Sequence, residues 1–220
     1  MSSVSSQSWS AGPESPLVAG AGRATGAMIK RLIDLFGAIA GLIFLFPIFF
    51  IVTGMIALET RGPILFRQRR SGFRGKTFSI FKFRTMRVLE DGATIVQAAR
   101  GDGRITDVGR FLRRTSIDEL PQLINVILGE MSLVGPRPHA LAHDEFYGAA
   151  ITSYSQRFLV KPGLTGLAQV CGLRGETSEL FEMEARVEKD LEYIRDWSLW
   201  LDIKILARTL LIFAFHPAAY

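Results

Sequence analysis

Cysteine is nearly missing from this chain of 220 residues, where Cys171 stands alone. That excludes an intrachain disulfide and any multi-cysteine zinc site, and it fits a reducing, cytoplasmic setting for the folded part. By residue type Cys171 is a small packing residue. Histidine is scarce too, three in all, and only His139 and His143 have the one-turn spacing of a metal pair. Between them Ala140, Leu141 and Ala142 supply no HExxH glutamate, and Asp144 adds a weak third ligand, so zinc is a minor reading. A cleavage site is also lacking: the apolar run starts late, is long, and meets charged residues with no small-residue motif before them. The anchor is expected to be retained.

Acidic residues are absent from Arg61 to Arg87, where Arg61, Arg67, Arg69, Arg70, Arg74, Lys76, Lys82, Arg84 and Arg87 all fall. Over the whole chain Lys+Arg 26 against Asp+Glu 21 leaves +5, and a pI near 9.7 favours an anionic partner: a lipid surface, a nucleotide or a nucleic acid. Hydrophobic content of 48% and a mean hydropathy of +0.23 suit one compact domain plus an anchor in lipid.

Residues 1–27, rich in Ser, Gly and Ala, lack apolar periodicity and read as a disordered tail. Residues 28–60 hold the anchor. From Leu32 to Leu58 the run is apolar except for Asp34 and is long enough to cross a bilayer once. Pro47 near its middle removes a backbone hydrogen bond, and positive charge flanks both ends, with Lys30 and Arg31 before it. A spanning helix and a helix that dips in and returns to the same face are evenly balanced on these residues. Residues 61–220 are expected to form the cytoplasmic domain, with C-terminal surface helices.

Pro63 to Arg67 and Thr77 to Met86 read as strands around the turn Ser71 to Gly75. Phe78, Ile80 and Phe83 interleave with basic residues there, a pattern that favours lipid headgroups over single-stranded nucleic acid, given the attached membrane segment. Val108, Phe111 and Leu112 mark one amphipathic helix; Leu120, Leu123, Ile124, Ile127 and Leu128 mark another. Ser116 and Glu119 have capping-box spacing, and Asp118 and Glu119 fall in the first turn of that second helix. An acidic pair often does no more than start a helix. Here Arg113 lies just upstream, and Arg137 sits between two prolines that hold it ready for an anion. Metal-assisted phosphoryl transfer needs both kinds of group, carboxylates for a divalent ion or for attack on phosphorus and guanidinium groups for the phosphate oxygens. The loop Lys161 to Gly166 is Pro- and Gly-rich and open to close approach by a nucleotide. Beyond it, Glu176 to Trp197 is charged with apolar positions at Leu180, Val187, Leu191 and Ile194, an amphipathic helix packed on the core. Ser198 to Phe215, with Trp197 and Trp200 at its near end, fits a helix in the headgroup region better than a second span, because Asp202, Lys204 and Arg208 interrupt it.

The run RRTSIDELPQLINVILGEMSLVGPRPH from Arg113 to His139, Phe81 to Met86 before it and Lys161 to Gly166 after it occur in one order. Together they resemble the monotopic bacterial phosphoglycosyl transferases that initiate exopolysaccharide, O-antigen and glycoprotein glycan assembly, over a region from about residue 28 to the C-terminus. The resemblance implies an α+β fold: a small mixed catalytic domain with an N-terminal re-entrant membrane helix and amphipathic interfacial helices. One departure is Phe46 before Pro47, where some relatives place a serine.

The resemblance also implies a reaction. Asp118 resembles the nucleophile that takes a phosphosugar from a nucleoside diphosphate sugar, UDP-linked by family expectation, and passes it to polyprenyl (undecaprenyl) phosphate. Glu119 is similar to the partner acid, with Asp118 and Glu119 holding Mg²⁺. Arg113 and Arg137 are the implied phosphate clamps, and Lys82 and Arg84 are candidates for the same wall, with strand alternation expected to let only one face the site. The implied location is the cytoplasmic face of the bacterial inner membrane. Partners would be the sugar nucleotide, polyprenyl phosphate and membrane lipids, with no nucleic acid and with a homo-oligomer left open. A membrane-tethered basic binding module is the rival reading, and a phosphohydrolase using water is another.

Overall fold

The computed structural model describes residues 24–87, 102–175, 177 and 179–215. The tail expected over residues 1–27 therefore lies outside the described residues as far as residue 23, and its last four residues belong to the first helix. Helix α1 runs from Ala24 to Glu59, 36 residues with Pro47 inside, or about 54 Å at 1.5 Å per residue. From Ala27 to Glu59 it is long and apolar enough to cross a membrane. Its two faces differ. Ala38, Val52 and Ile56 are buried, whereas Phe44 and Phe50 are 82% and 77% exposed.

The buried face of α1 stays against the domain from end to end. Near its start Arg31 donates to the carbonyl of Val126 (2.6 Å), and Asp34 accepts from Ser132 Oγ (3.0 Å). Leu42 and Leu45 pack on the core of Phe78, Ile80, Leu123, Val126 and Met131. Val52 and Ile56 meet Phe83 and Leu112 near its end.

Strands β1 (Leu65–Ser71) and β2 (Thr77–Phe83) pair antiparallel, Leu65 opposite Phe83 and Ser71 opposite Thr77. The hairpin expected from the sequence forms, with its first strand displaced toward the turn and its second ending at Phe83. Phe78, Ile80 and Phe83 are buried. The alternation of Phe78 and Ile80 is thus accounted for by core packing against α1 and the helix after the acidic pair and not by lipid or nucleic acid, a correction to the expectation, and Phe83, on the opposite face of the strand, is buried against Val52, Ile56 and Leu112. A second, parallel pair joins β3 (Ser132–Val134) to β4 (Gly163–Thr165). A Cβ on Gly163 would sit 2.1 Å from Gly135 N, and one on Gly135 would sit 2.5 Å from Lys161 O. The glycines of the Lys161 to Gly166 loop therefore allow backbone to lie on backbone, which accounts for them by packing alone.

Helix α2 (Asp107–Thr115) starts at Thr106, whose hydroxyl accepts from Gly109 N. A one-turn 3₁₀ segment, Ile117–Glu119, leads through Leu120 and Pro121 to α3 (Gln122–Leu128). Then come α4 (Leu141–Ala150), a 3₁₀ stretch Tyr154–Leu159, α5 (Leu167–Val170), α6 (Leu180–Arg195) and α7 (Leu199–Phe215). Helix α6 buries Met183, Val187, Tyr193 and Ile194, but Leu180 is exposed because it is the first residue of the helix. Helix α7 buries Ile205 and Asp202 while Trp200, Leu210 and Leu211 stay exposed. Cys171, expected to be packed, is exposed at the end of α5.

Candidate active site

Ser116 departs from its expected role. It ends α2 in the left-handed conformation, φ 58° and ψ 16°, and its hydroxyl accepts from Arg174 Nη2 (2.5 Å) instead of capping a helix. The capping box does not form. Asp118 and Glu119 lie on the 3₁₀ turn before α3, with Pro121 at the N-cap of that helix.

Glu119 is pinned from three sides. Lys82 Nζ donates to Oε1 (2.8 Å), Arg137 Nη1 donates to Oε2 (2.9 Å) and Nη2 to Oε1, and Arg174 Nη2 lies 3.5 Å from Oε2. Burial alone would raise the pKa of Glu119, yet Arg137 and Lys82 hold it well below the usual carboxylate range. Asp118 is as buried, 7% exposed like its neighbour, but none of the hydrogen bonds among the described residues reaches its carboxylate. Burial and the charge of Glu119 push its pKa up to about 6, against the pull of Lys82, Arg113 and Arg137. One carboxylate is neutralised by the protein. The other is left to whatever enters the site.

Asn125, fully buried in α3, holds β2 against that turn by accepting from Phe81 N (2.9 Å) and donating to Ser79 O (2.8 Å). This brings Lys82 to Glu119. Arg84 goes elsewhere: its guanidinium donates to Arg61 O (2.9 Å), Thr60 O (2.7 Å) and Thr60 Oγ1 (2.7 Å), tying off the end of α1. Gly62, at φ +122°, leaves room for that guanidinium. Arg84 is thus removed from the phosphate wall. Strand alternation is not the cause, since residues two apart share a face; β2 ends at Phe83 and the chain turns away beyond it.

Arg137 is held by its backbone as well as by its prolines. Its carbonyl accepts from Arg157 Nη2 (2.7 Å), Arg70 Nη1 reaches Pro138 O (3.3 Å), and Gly163 N donates to Pro136 O (2.9 Å). Arg157, in the 3₁₀ stretch, is 3% exposed and pairs through Nε with Asp190 of α6 (2.7 Å). His139 belongs to this support, its Nδ1 lying 3.1 Å from Arg157 Nη1 and 2.6 Å from Tyr154 Oη. Burial and nearby arginines, Arg157 foremost, keep it uncharged. Among the described residues no group of three or more His, Cys, Asp or Glu side chains is placed to hold a metal.

The structure thus brings Asp118, Glu119, Lys82 and Arg137 together, with Arg113 close enough to lower the Asp118 pKa. It adds Arg174, Arg157 and Asp190, which the sequence reading missed. Arg174 lies in a turn with no motif around it, Arg157 lies in a segment without a sequence signal, and Asp190 lies in a helix whose charges read as its solvated face. Only the three-dimensional pairing distinguishes them from ordinary surface charges.

A paired acid and a free acid, walled by lysine and arginine on a mixed α+β domain with one membrane-length apolar helix, define a membrane-helix protein built to handle anions. The chain belongs to the bacterial sugar transferase family, whose model matches residues 25–216. It is 53% identical over 180 residues to a UDP-glucose:undecaprenyl-phosphate glucose-1-phosphate transferase of Caulobacter vibrioides, covering 82% of this chain and 67% of that protein. It is 50% identical over 193 residues to the Escherichia coli K12 protein of that name, covering 88% of this chain and 42% of the relative. The exopolysaccharide production protein PSS of Rhizobium leguminosarum bv. phaseoli is 42% identical over 186 residues, 83% of this chain and 93% of that one. The chain spans about two thirds of the first relative and less than half of the second.

Proposed function

We propose that this chain transfers a sugar 1-phosphate from a nucleoside diphosphate sugar, most simply a UDP-sugar, to undecaprenyl phosphate, the first step in building a polysaccharide. The observation that carries the reading is the buried Asp118 carboxylate, with no hydrogen-bonding partner among the described residues, beside a Glu119 already held by Lys82 and Arg137. An Asp118 oxygen attacks the phosphorus that bears the sugar; the bond to the nucleoside phosphate breaks and nucleoside monophosphate leaves with the electron pair. An oxygen of undecaprenyl phosphate then attacks the aspartyl phosphosugar, and the carboxylate returns as leaving group. Two displacements at one residue let a soluble donor and a lipid acceptor use one site in turn. The names of the relatives support the same pair of substrates.

Arg113 and Arg137 hold the phosphate oxygens of the donor, and Lys82 balances charge behind Glu119. The residues fit Mg²⁺ in part: Asp118 has open oxygens, as an ion sharing one or two carboxylates with a substrate phosphate requires, while Glu119 can join only by exchanging Arg137 or Lys82. When bound, Mg²⁺ would screen the negative charge of the phosphates. A non-catalytic basic binding module gives no reason for burying Asp118 beside Glu119 with no hydrogen bond to its carboxylate among the described residues.

The attachment is read as re-entrant, with both ends of α1 on the cytoplasmic side of the inner membrane. Two features support this: α1 touches the domain from Arg31 to Ile56 along one face, and its other face presents large apolar side chains. A helix crossing to the far side could not keep those contacts. The test is a panel of sugar nucleotides with undecaprenyl phosphate, measuring nucleoside monophosphate release with Mg²⁺ present and absent. No release from any donor would overturn the proposal, and release without the lipid acceptor would favour hydrolysis.

A further inference from the structure

Four polar side chains are buried along one face of the helical stretch that carries the acidic pair. The backbone stays helical from Ile117 to Leu128, because Leu120 (φ −56°, ψ −34°) and Pro121 (φ −60°, ψ −16°) carry the 3₁₀ turn into α3. Residues three, four and seven apart then share a face, which groups Asp118, Glu119, Gln122 and Asn125. Their exposures are 7%, 7%, 1% and 0%. That face meets β2 at both ends, through Glu119 at Lys82 and through Asn125 at Ser79 and Phe81. Gln122 lies between them.

Two of the four are satisfied and two are not. Glu119 accepts from Lys82 and Arg137, and Asn125 uses both ends of its amide. Gln122 Nε2 is buried with no hydrogen-bond partner, one turn from the Asp118 carboxylate, which takes no hydrogen bond among the described residues either. An ionised carboxylate only accepts and an amide nitrogen only donates, so a bond between the two would have satisfied both at once. The fold keeps them unjoined, although a buried polar group without a partner is destabilising. What completes both is a group that is electrophilic toward the carboxylate and presents acceptor oxygens to the amide. A phosphoryl group has both properties.

We propose that Gln122 is a further catalytic residue, donating from Nε2 to a non-bridging oxygen of the phosphoryl group as it passes onto Asp118. This rests on the transferase reading above. The Asp118 oxygen forms its bond to phosphorus while the bond to the nucleoside phosphate breaks; the leaving group takes the electron pair, and Gln122 keeps both amide protons. Because the amide is neutral, it supplies a donor without the lowering effect that another cation would have on the Asp118 pKa. Its hydrogen bond is made only when phosphorus reaches Asp118, so it acts on kcat and not on binding of the donor.

Gln122→Leu removes the donor and keeps a side chain of similar size. With undecaprenyl phosphate and the sugar nucleotide that the native chain turns over, it should lower kcat for nucleoside monophosphate release about tenfold to a hundredfold while KM stays within about twofold. Its Tm should equal or exceed the native value, since an apolar side chain leaves no donor unsatisfied. Gln122→Met, unbranched and also without a donor, should repeat both results should leucine pack poorly. A purely structural role would lower Tm instead. If kcat is unchanged, or falls only in a variant whose Tm falls as well, the assignment is overturned. A native chain that releases no nucleoside monophosphate from any donor fails the transferase reading, and this inference with it; native turnover with full activity in both variants fails this inference alone.

Discussion

Two buried charge clusters lie back to back in this domain, and they differ in balance. Arg157 and Asp190 pair directly: both side chains are 2% exposed, 2.7 Å apart, and the remaining guanidinium donors of Arg157 reach Arg137 O and His139. Around Asp118 and Glu119 the same chemistry is left unfinished, since Glu119 takes Lys82 and Arg137 while Asp118 takes no hydrogen bond among the described residues. A closed pair holds structure, and an open one holds a place for a substrate. The closed cluster supports the open one by fixing the loop that carries Arg137.

The largest effect expected from breaking this contrast is at Asp118. Asp118→Asn should lower nucleoside monophosphate release on the order of 10³-fold or more, because an amide has the shape but not the nucleophilicity of a carboxylate. The same variant should be more stable. The folded-state pKa of about 6 lies above the ordinary aspartate value of 3.8, so the folded protein holds this proton more tightly, and ionisation at neutral pH opposes folding. Removing that charge should raise stability by about 1–3 kcal/mol, read as a higher Tm. An active Asp118→Asn protein would sink the mechanism.

Asp190→Asn should do the reverse. It leaves the buried Arg157 charge unpaired at a cost of about 3–5 kcal/mol, measured by denaturant unfolding. Undiminished stability would show that the cluster is not closed in the sense argued here.

Arg137→Lys keeps the charge but loses the planar fork on Glu119, and kcat/KM should fall by roughly tenfold to a hundredfold. A smaller effect is expected from pH. Asp118 must be ionised to attack, so the rate should drop about tenfold per pH unit below an acid limb near the value of about 6 set by burial and Glu119. Glu119, held far lower, should not appear in that range. A rate flat between pH 5 and 7 would remove Asp118 as the titrating nucleophile.

The smallest effect on turnover concerns α1. Single cysteines near Gly26 and Gly72, in a Cys171→Ser background, should both resist a membrane-impermeant thiol reagent until cells are permeabilised. Labelling at Gly26 in intact cells would instead mean a spanning helix. Pro47→Leu restores the missing donor and favours a straight helix, so a change in that protection would identify Pro47 as a cause of the proposed re-entrant geometry.

Much of this protein is local enough to read along the chain. The long apolar helix, the basic hairpin, the acidic pair and the Pro-Arg-Pro segment depend on runs and spacings of a few residues, since periodicity and backbone stiffness act at short range. The apolar residues of β2 showed their period but not their destination. Phe78 and Ile80 alternate as a ligand face would, and only the packing of α1 and α3 on that side turns them into core. Lys82 and Arg84 are equivalent by type and spacing, yet one meets Glu119 and the other caps α1. The unequal ionisation of Asp118 and Glu119 is invisible in sequence for the same reason. Adjacent residues of like chemistry are separated only by which cations the fold delivers to each, from Lys82 on a strand, Arg137 on a loop and Arg174 on a distant turn. Burial then makes that difference large, because a charge shielded from water depends on the partners it is given.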